Sequence, residues 1–351
     1  MLSKFNSIVI YALIAMLGAM FLYPSYIRLL KYLKAGKQIR KHDGTGQESV
    51  IFSDLHQHKA GTPTMGWWLL LIIVMLMIVW SFVIQDFWWT NNALVSRSET
   101  YIIIFGFFAM GLIWLVDDIL NILGHGHIKW LSAKTKMGGF VVFSFFISYW
   151  FYIKLGVHSV NLWPIYSHID LWIRYPISTF VMTISIVNAI NITDGLDGLA
   201  GWLMTMILGV LGVMTFVSGR YLTTTIVAIV CGVLFGFLRF NINPAKIFMW
   251  DSGALALGWL VSTLVYLLGI KIGIIIPFTI CFALFILEIW SSFLQLMSKK
   301  IRGRKLWAIA PFHHYLEWKW YSEAHIVMKL WLIQGILAAI TLILFFYQLQ
   351  E

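Results

Sequence analysis

The sequence predicts an all-α integral membrane protein: one polytopic domain over residues 1–351, a bundle of about ten transmembrane helices with its active site at the cytoplasmic face. Three observations lead there. The 351 residues are 60% hydrophobic and 11% charged, against about 25% charged in soluble domains, and mean hydropathy is +0.83. Apolar runs long enough to cross a bilayer, about 20 residues each, recur along the whole chain. Lys and Arg crowd alternate connections between those runs.

The expected spans lie at about 7–30, 67–87, 99–120, 137–155, 171–190, 198–217, 222–240, 253–270, 272–297 and 326–348. The first run, Ser7 to Tyr26, is too long for a signal peptide and lacks a small-residue cleavage site, so it reads as a spanning helix. The eighth and ninth spans are nearly continuous, with Gly269 and Gly273 marking a tight turn. The segments 31–66, 121–136 and 298–325 carry clusters of Lys and Arg, whereas the alternate connections hold Arg97, Arg174, Arg220 and Lys271. The rich connections are therefore expected in the cytoplasm. The polar stretch Asp43 to His58 is expected to be mobile.

The formal charge of +10 lies between hydrophobic spans rather than in dense basic runs, so no nucleic-acid partner is expected. The two cysteines, Cys231 and Cys281, sit in apolar runs. They read as core side chains and exclude a disulfide framework or a cysteine-based metal site. Of the 15 acidic residues, Asp117, Asp118, Asp194, Asp197 and Asp251 fall at the cytoplasmic ends of different spans. Charge at membrane depth costs about 2.5–3.5 kcal/mol per residue at mid-helix, so convergence on one face points to a site.

Asp117 and Asp118 close the third span; on a helix they point about 100° apart and take different roles. The segment Asn188 to Leu199 reads Asn-Ala-Ile-Asn-Ile-Thr-Asp-Gly-Leu-Asp-Gly-Leu. Asn191, Asp194 and Asp197 recur every three residues, so a helical turn would set them on one side, while Gly195 and Gly198 permit close backbone approach. Asn241 and Asp251 are candidate ligands in the next cytoplasmic segment, and Phe248 is a candidate stacking surface. In Pro311-Phe-His-His-Tyr-Leu-Glu317, a helix would bring Glu317 beneath His313 and His314. Zinc needs at least three good ligands, and this spacing favours phosphate or nucleotide contact assisted by Lys299 to Lys305. Acids and amides without thiolates suit a hard cation, Mg²⁺ above all when a diphosphate adds oxygens. Together these features imply phosphoryl transfer at a membrane face. A cation-coupled transporter would place its charges near the midplane and show repeated halves; neither pattern is present.

These motifs identify a family. The sequence resembles the phospho-N-acetylmuramoyl-pentapeptide transferases over essentially its whole length. The resemblance rests on His58-Lys-Ala-Gly-Thr-Pro-Thr-Met-Gly66, Asp117-Asp118, Asn188 to Ala200, Phe240-Asn-Ile-Asn-Pro-Ala, Phe248-Met-Trp-Asp-Ser-Gly, Glu288 with Gln295, and Ala310-Pro-Phe-His-His-Tyr-Leu-Glu. It implies a multi-pass enzyme of the bacterial inner membrane. Undecaprenyl phosphate attacks the β-phosphorus of UDP-MurNAc-pentapeptide, giving lipid I and UMP with Mg²⁺ required. By the motif match, Asp251 is the expected metal ligand and Asp117, supported by Asp118, handles the lipid phosphate. Lys59, Asn191, Asp194, Asn241 and Phe248 are expected nucleoside and diphosphate contacts, with Phe248 on uracil. Asp197 is a further site carboxylate, and His313 and His314 match the family's His cluster. The family also implies a homodimer. The alternatives are a sister enzyme for another UDP-aminosugar and a catalytically impaired relative.

The chain departs from the family pattern at Asn121, Ala254 and Tyr315, where Lys, Ser and His are usual. Trp67, Trp250, Trp259 and Trp320 stand where the pattern has glycine. Replacement in a single direction suggests glycines misread from a reassigned UGA codon.

Overall fold

The computed structural model describes residues 2–36, 57–84, 94, 97–123, 133–249 and 251–350, and their side chains except at 58, 84, 98, 113–123, 133–137, 140, 167, 168, 251, 270 and 271. The helices are α1 (Leu2–Tyr32), α2 (Gly66–Ile84), α3 (Ser98–Leu123), α4 (Ala133–Tyr149), α5 (Tyr175–Thr193), α6 (Leu199–Val217), α7 (Tyr221–Asn241) and α8 (Asp251–Ile272). Then come α9 (Ile275–Cys281), α10 (Ala283–Arg302), the short α11 (Phe312–Trp318) and α12 (Glu323–Gln348). The chain is an α-helical, multi-pass membrane protein.

Every predicted span coincides with helix, but the span count of ten is not reproduced as such. Among the described residues, seven helices are long and apolar enough to cross a membrane, or eight if α9 and α10 count as one broken span. The regions predicted as spans three and four carry shorter apolar stretches, Glu99–Leu112 and Val141–Lys154. The ninth span is not straight: α9 and α10 meet at 72°, with Phe278, Phe282 and Phe285 stacked through the break. Gly273 makes the tight turn at φ +75°, while Gly269 belongs to α8. A hairpin of β1 (Ser159–Leu162) and β2 (Tyr166–Asp170), antiparallel with an irregular register, interrupts the helical pattern.

The core forms around α8, whose apolar window is wholly buried. Against lipid-like surroundings, helices associate by close packing of small residues. Accordingly α1 lies along α7 where Gly232 and Gly236 meet Ala12 and Ala19; a Cβ at 232 would stand 2.2 Å from the Ala12 carbonyl oxygen.

Side-chain contacts define two poles. At one, Arg220 in the α6–α7 turn pairs with Glu99 at the start of α3 (2.5 Å), and Lys4 sits over Tyr221. The C-terminal ends of α5 and α7 and the N-terminal ends of α8 and α12 lie at the other. Asp117 is 18 residues beyond Glu99, about 27 Å along the helix at 1.5 Å per residue. The backbone of α3 therefore delivers the Asp117-Asp118 pair to this second pole.

Candidate active site

Local structure at the second pole differs from the simple helical turn predicted for Asn191, Asp194 and Asp197. Asn191 belongs to the last turn of α5, Asp194 is its C-cap at φ −78° and ψ 46°, and Asp197 lies in the following turn. The three do not share one helix face, because α5 ends at Thr193 and Gly198, at φ +75°, redirects the chain into α6. The turn instead folds inward so that Asp197 is 4% exposed.

Asp197 meets Lys59, which the short 3₁₀ turn Gln57–Lys59 delivers from the segment before α2. The Lys59 ammonium, 3% exposed, stands 2.8 Å from Asp197 Oδ1 and donates to Glu323 Oε1 at 2.5 Å. The Asp197 backbone N–H also donates to Glu323 Oε1 at 2.5 Å. Asp197 Oδ2 accepts from the Ala245 N–H (2.9 Å) and from Asn243 Nδ2 (3.3 Å). Burial acts to raise the Asp197 pKa, but the Lys59 charge and these hydrogen bonds outweigh it and hold the carboxyl below its ordinary value. Lys59 also stands 5.9 Å from the centre of the Phe248 ring, at the outer limit of a cation–π contact.

Phe248 is positioned by its backbone. Its N–H donates to the Pro63 carbonyl and its carbonyl accepts from the Gly66 N–H, both at 2.9 Å. The loop between α7 and α8 is thereby laced to the segment carrying Lys59. Asn241, 3% exposed, closes the same loop by donating to the Ile247 carbonyl at 2.9 Å. This bond uses one of the two amide N–H groups and shapes the loop. Asp251 opens α8 just beyond. Its side chain, those of Asp117 and Asp118, and Trp250 lie outside the described residues.

The His cluster comes from α11. His313 is fully buried and its Nδ1 pairs with Glu288 Oε2 of α10 at 3.0 Å. His314 Nδ1 meets Glu317 Oε2 at 2.6 Å, one helical turn on. The predicted helix over 311–317 thus forms, but Glu317 serves as the partner of His314, which does not favour a zinc set built on these three residues. With Nδ1 paired to Glu288, His313 Nε2 is presented on the opposite side of the ring. It has no hydrogen-bond partner among the described residues and is directed at Gly195, where a Cβ would lie 2.3 Å away. This close approach requires glycine, and it joins α11 to the Asp194–Asp197 turn.

A polar stripe along α10 holds the preceding loop. Ser291 Oγ accepts from the Phe312 N–H, Gln295 takes the Leu306 and Trp307 N–H groups and donates to the Trp307 carbonyl, and Ser298 donates to the Arg304 carbonyl. The signal for it was the spacing 288, 291, 295, 298, one helix face of polar residues in an apolar span. Glu323 belongs to no motif found in the sequence; a contact across 264 residues leaves no local trace.

The tryptophans at glycine positions are also placed. Trp67 and Trp259 are fully buried, each with an indole N–H that has no partner among the described residues. The Trp259 ring lies directly on Gly106. Trp320 is 96% exposed at φ +69°, a left-handed conformation suited to glycine.

A cavity of about 440 Å³ flanks the site on the side of the bundle, between α5, α9 and α10. Met182, Ile186, Phe278, Phe282, Trp290 and Phe293 line it, and Trp290 and Phe293 are exposed at its rim.

A membrane bundle with a buried Lys–carboxylate–His pole and an apolar cleft suits a class of protein: a transferase embedded in a membrane. In agreement, residues 100–269 match glycosyl transferase family 4. Phospho-N-acetylmuramoyl-pentapeptide-transferase of Clostridium novyi (strain NT) is 32% identical over 95% of this chain and 96% of its own. The enzymes of that name from Clostridium botulinum (strain Alaska E43 / Type E3) and Anoxybacillus flavithermus are 32% and 30% identical, each over at least 91% of both chains. The chain belongs to the phospho-N-acetylmuramoyl-pentapeptide-transferase family.

Proposed function

We propose that the protein transfers phospho-MurNAc-pentapeptide from UDP-MurNAc-pentapeptide to undecaprenyl phosphate at the cytoplasmic face of the bacterial inner membrane. The lipid phosphate oxygen forms a bond to the β-phosphorus, the bond from that phosphorus to the bridging oxygen breaks, and UMP leaves with the electron pair. One observation carries the reading: a buried ammonium, an aromatic ring, an acidic turn and a paired-histidine helix meet at one pole of a bundle that also holds an apolar cleft between α5, α9 and α10.

In this reading Phe248 stacks on uracil and Lys59 meets the diphosphate, with Asn191 and Asp194 on the nucleoside side. Asp117, supported by Asp118, handles the lipid phosphate, whose prenyl chain lies in the cleft of α5, α9 and α10. His313 and His314 serve the phosphate end, each oriented through Nδ1 by a carboxylate so that Nε2 is presented. The oxygen donors at this pole suit Mg²⁺, both cysteines lying in apolar helices. Asp251 would hold the ion, which would neutralise the diphosphate charge that develops in phosphoryl transfer. Asp197 and Glu323 already pair with Lys59 and are poor candidates for it.

The test uses purified protein, undecaprenyl phosphate and UDP-MurNAc-pentapeptide, with UMP release measured with and without Mg²⁺. Asp251→Asn is expected to abolish Mg²⁺-dependent release in a folded protein. Full turnover by that variant removes Asp251 from the metal role. Turnover of UDP-GlcNAc instead of the pentapeptide substrate would assign the chain to a sister activity.

A further inference from the structure

Glu323 is the first residue of α12, after an N-cap Ser322 whose side chain makes no capping bond. A carboxylate in a first turn suits the helix dipole, but this one faces the site rather than its own helix. One oxygen, Oε1, accepts from both Lys59 Nζ and the Asp197 backbone N–H, each at 2.5 Å. The other, Oε2, lies 3.4 Å from Asn243 Nδ2. Glu323 therefore ties together the segment before α2, the α5–α6 turn, the α7–α8 loop and the last helix.

A lysine is a compact charge on a flexible four-carbon stem. Delivering that charge to one place requires something to hold the stem. Asp197 supplies one ion contact, itself carried on a turn between helices. Glu323 grips the ammonium and the backbone of that turn through a single oxygen, so their separation is fixed. The cluster holds one cation and two carboxylates, all at most 10% exposed. Its formal charge is one ammonium less two carboxylates, or −1. Lys59 is thus restrained, with its charge more than balanced by the two carboxylates, until an anion competes for it.

We propose that Glu323 is a positioning residue of the transfer site, clamping Lys59 against the Asp197 turn and thereby setting where the nucleotide diphosphate is received. The proposal rests on the reading of Lys59 as the diphosphate contact. A carboxylate is needed because an amide keeps the acceptor oxygen but gives up the ionic hold on Lys59.

The experiment compares full-length wild type, Glu323→Gln, Glu323→Asp, Lys59→Gln and the Lys59→Gln/Glu323→Gln double variant. It measures KM and kcat for UDP-MurNAc-pentapeptide at saturating lipid, calorimetric binding of UDP, and thermal unfolding. Glu323→Gln is expected to raise KM and the UDP Kd about tenfold or more, with kcat changed far less, since a contact to a charged group is lost in binding. Glu323→Asp should recover part of the affinity. The double variant should be no worse than Lys59→Gln alone, because the two groups act as one unit. A KM and UDP Kd for Glu323→Gln within about twofold of wild type, or losses that multiply in the double variant, overturn the proposal. Should Glu323→Gln fail to fold, Glu323→Asp is judged by the same KM and Kd criteria. If wild type does not turn over the pentapeptide nucleotide, the functional reading fails, and the clamp stands or falls on UDP binding alone.

Discussion

Gly195→Ala tests the join between the acidic turn and the His helix. A Cβ at 195 would sit 2.3 Å from His313 Nε2, 3.1 Å from its Cε1 and 3.2 Å from His314 Nε2. Ordinary contact begins at 3.4 Å, so the ring must retreat by about 1.1 Å. It has little freedom to do so. His313 is fully buried, its Nδ1 is 3.0 Å from Glu288 Oε2, and its ring centre is 4.2 Å from that of His314. Overpacking costs about 1–3 kcal/mol, and weakening a hydrogen bond to a charged partner adds about 1.5 kcal/mol or more. A total near 2.5–4.5 kcal/mol, felt where the ring must be placed for transfer, corresponds to a rate loss of about 70- to 2000-fold. Stability should fall less than activity, because alanine also restricts the unfolded chain by about 0.4–1 kcal/mol in the opposite direction. The assay is the initial rate of UMP release, with thermal unfolding alongside. Gly209→Ala and Gly335→Ala, where nothing lies within 4 Å of the added carbon, serve as controls and should behave as wild type. A Gly195→Ala enzyme within about threefold of the wild-type rate would refute the steric argument.

Two further predictions concern stability. Trp320→Gly should be more stable than Trp320→Ala by about 1 kcal/mol, since only glycine occupies the left-handed region without a Cβ penalty; equal chemical-denaturation midpoints for the two variants would count against strain at φ +69°. The Asp197 carboxyl titrates below its ordinary 3.8 in the folded protein, so its ion pair stabilises fully above that value and the benefit is lost as pH falls through the folded pKa. The melting-temperature gap between wild type and Asp197→Asn should therefore be constant from pH 5 to 8 and close only below about 3.8; a gap already closing at pH 6 would contradict the depressed pKa.

The helices were legible because lipid burial writes itself into runs of apolar residues, and the pole was legible because charges so close to a membrane need a reason. The break between α9 and α10 was not, since Cys281-Phe-Ala283 continues an apolar run and hydropathy carries no direction. The hairpin at 159–170 escaped notice because two strands of four and five residues, with their exposed and half-buried pattern, resemble a polar connection. Asn191, Asp194 and Asp197 do not share the one helical face expected of them, because periodicity cannot report that α5 stops at Thr193. His313, His314 and Glu317 met the helical spacing expected of them, whereas the pairing of His313 with Glu288 was beyond any local rule.

The cleft beside α10 is apolar and has the exposed Trp290 and Phe293 at its rim. An occupant entering past that rim from the bilayer comes from a two-dimensional solvent, so the quantity that governs saturation is its mole fraction among the surrounding amphiphiles, not its bulk molarity. Diluting the protein's lipid substrate with inert detergent at constant total concentration should then slow turnover just as withdrawing the substrate would, while the nucleotide, which comes from water, is indifferent to the change.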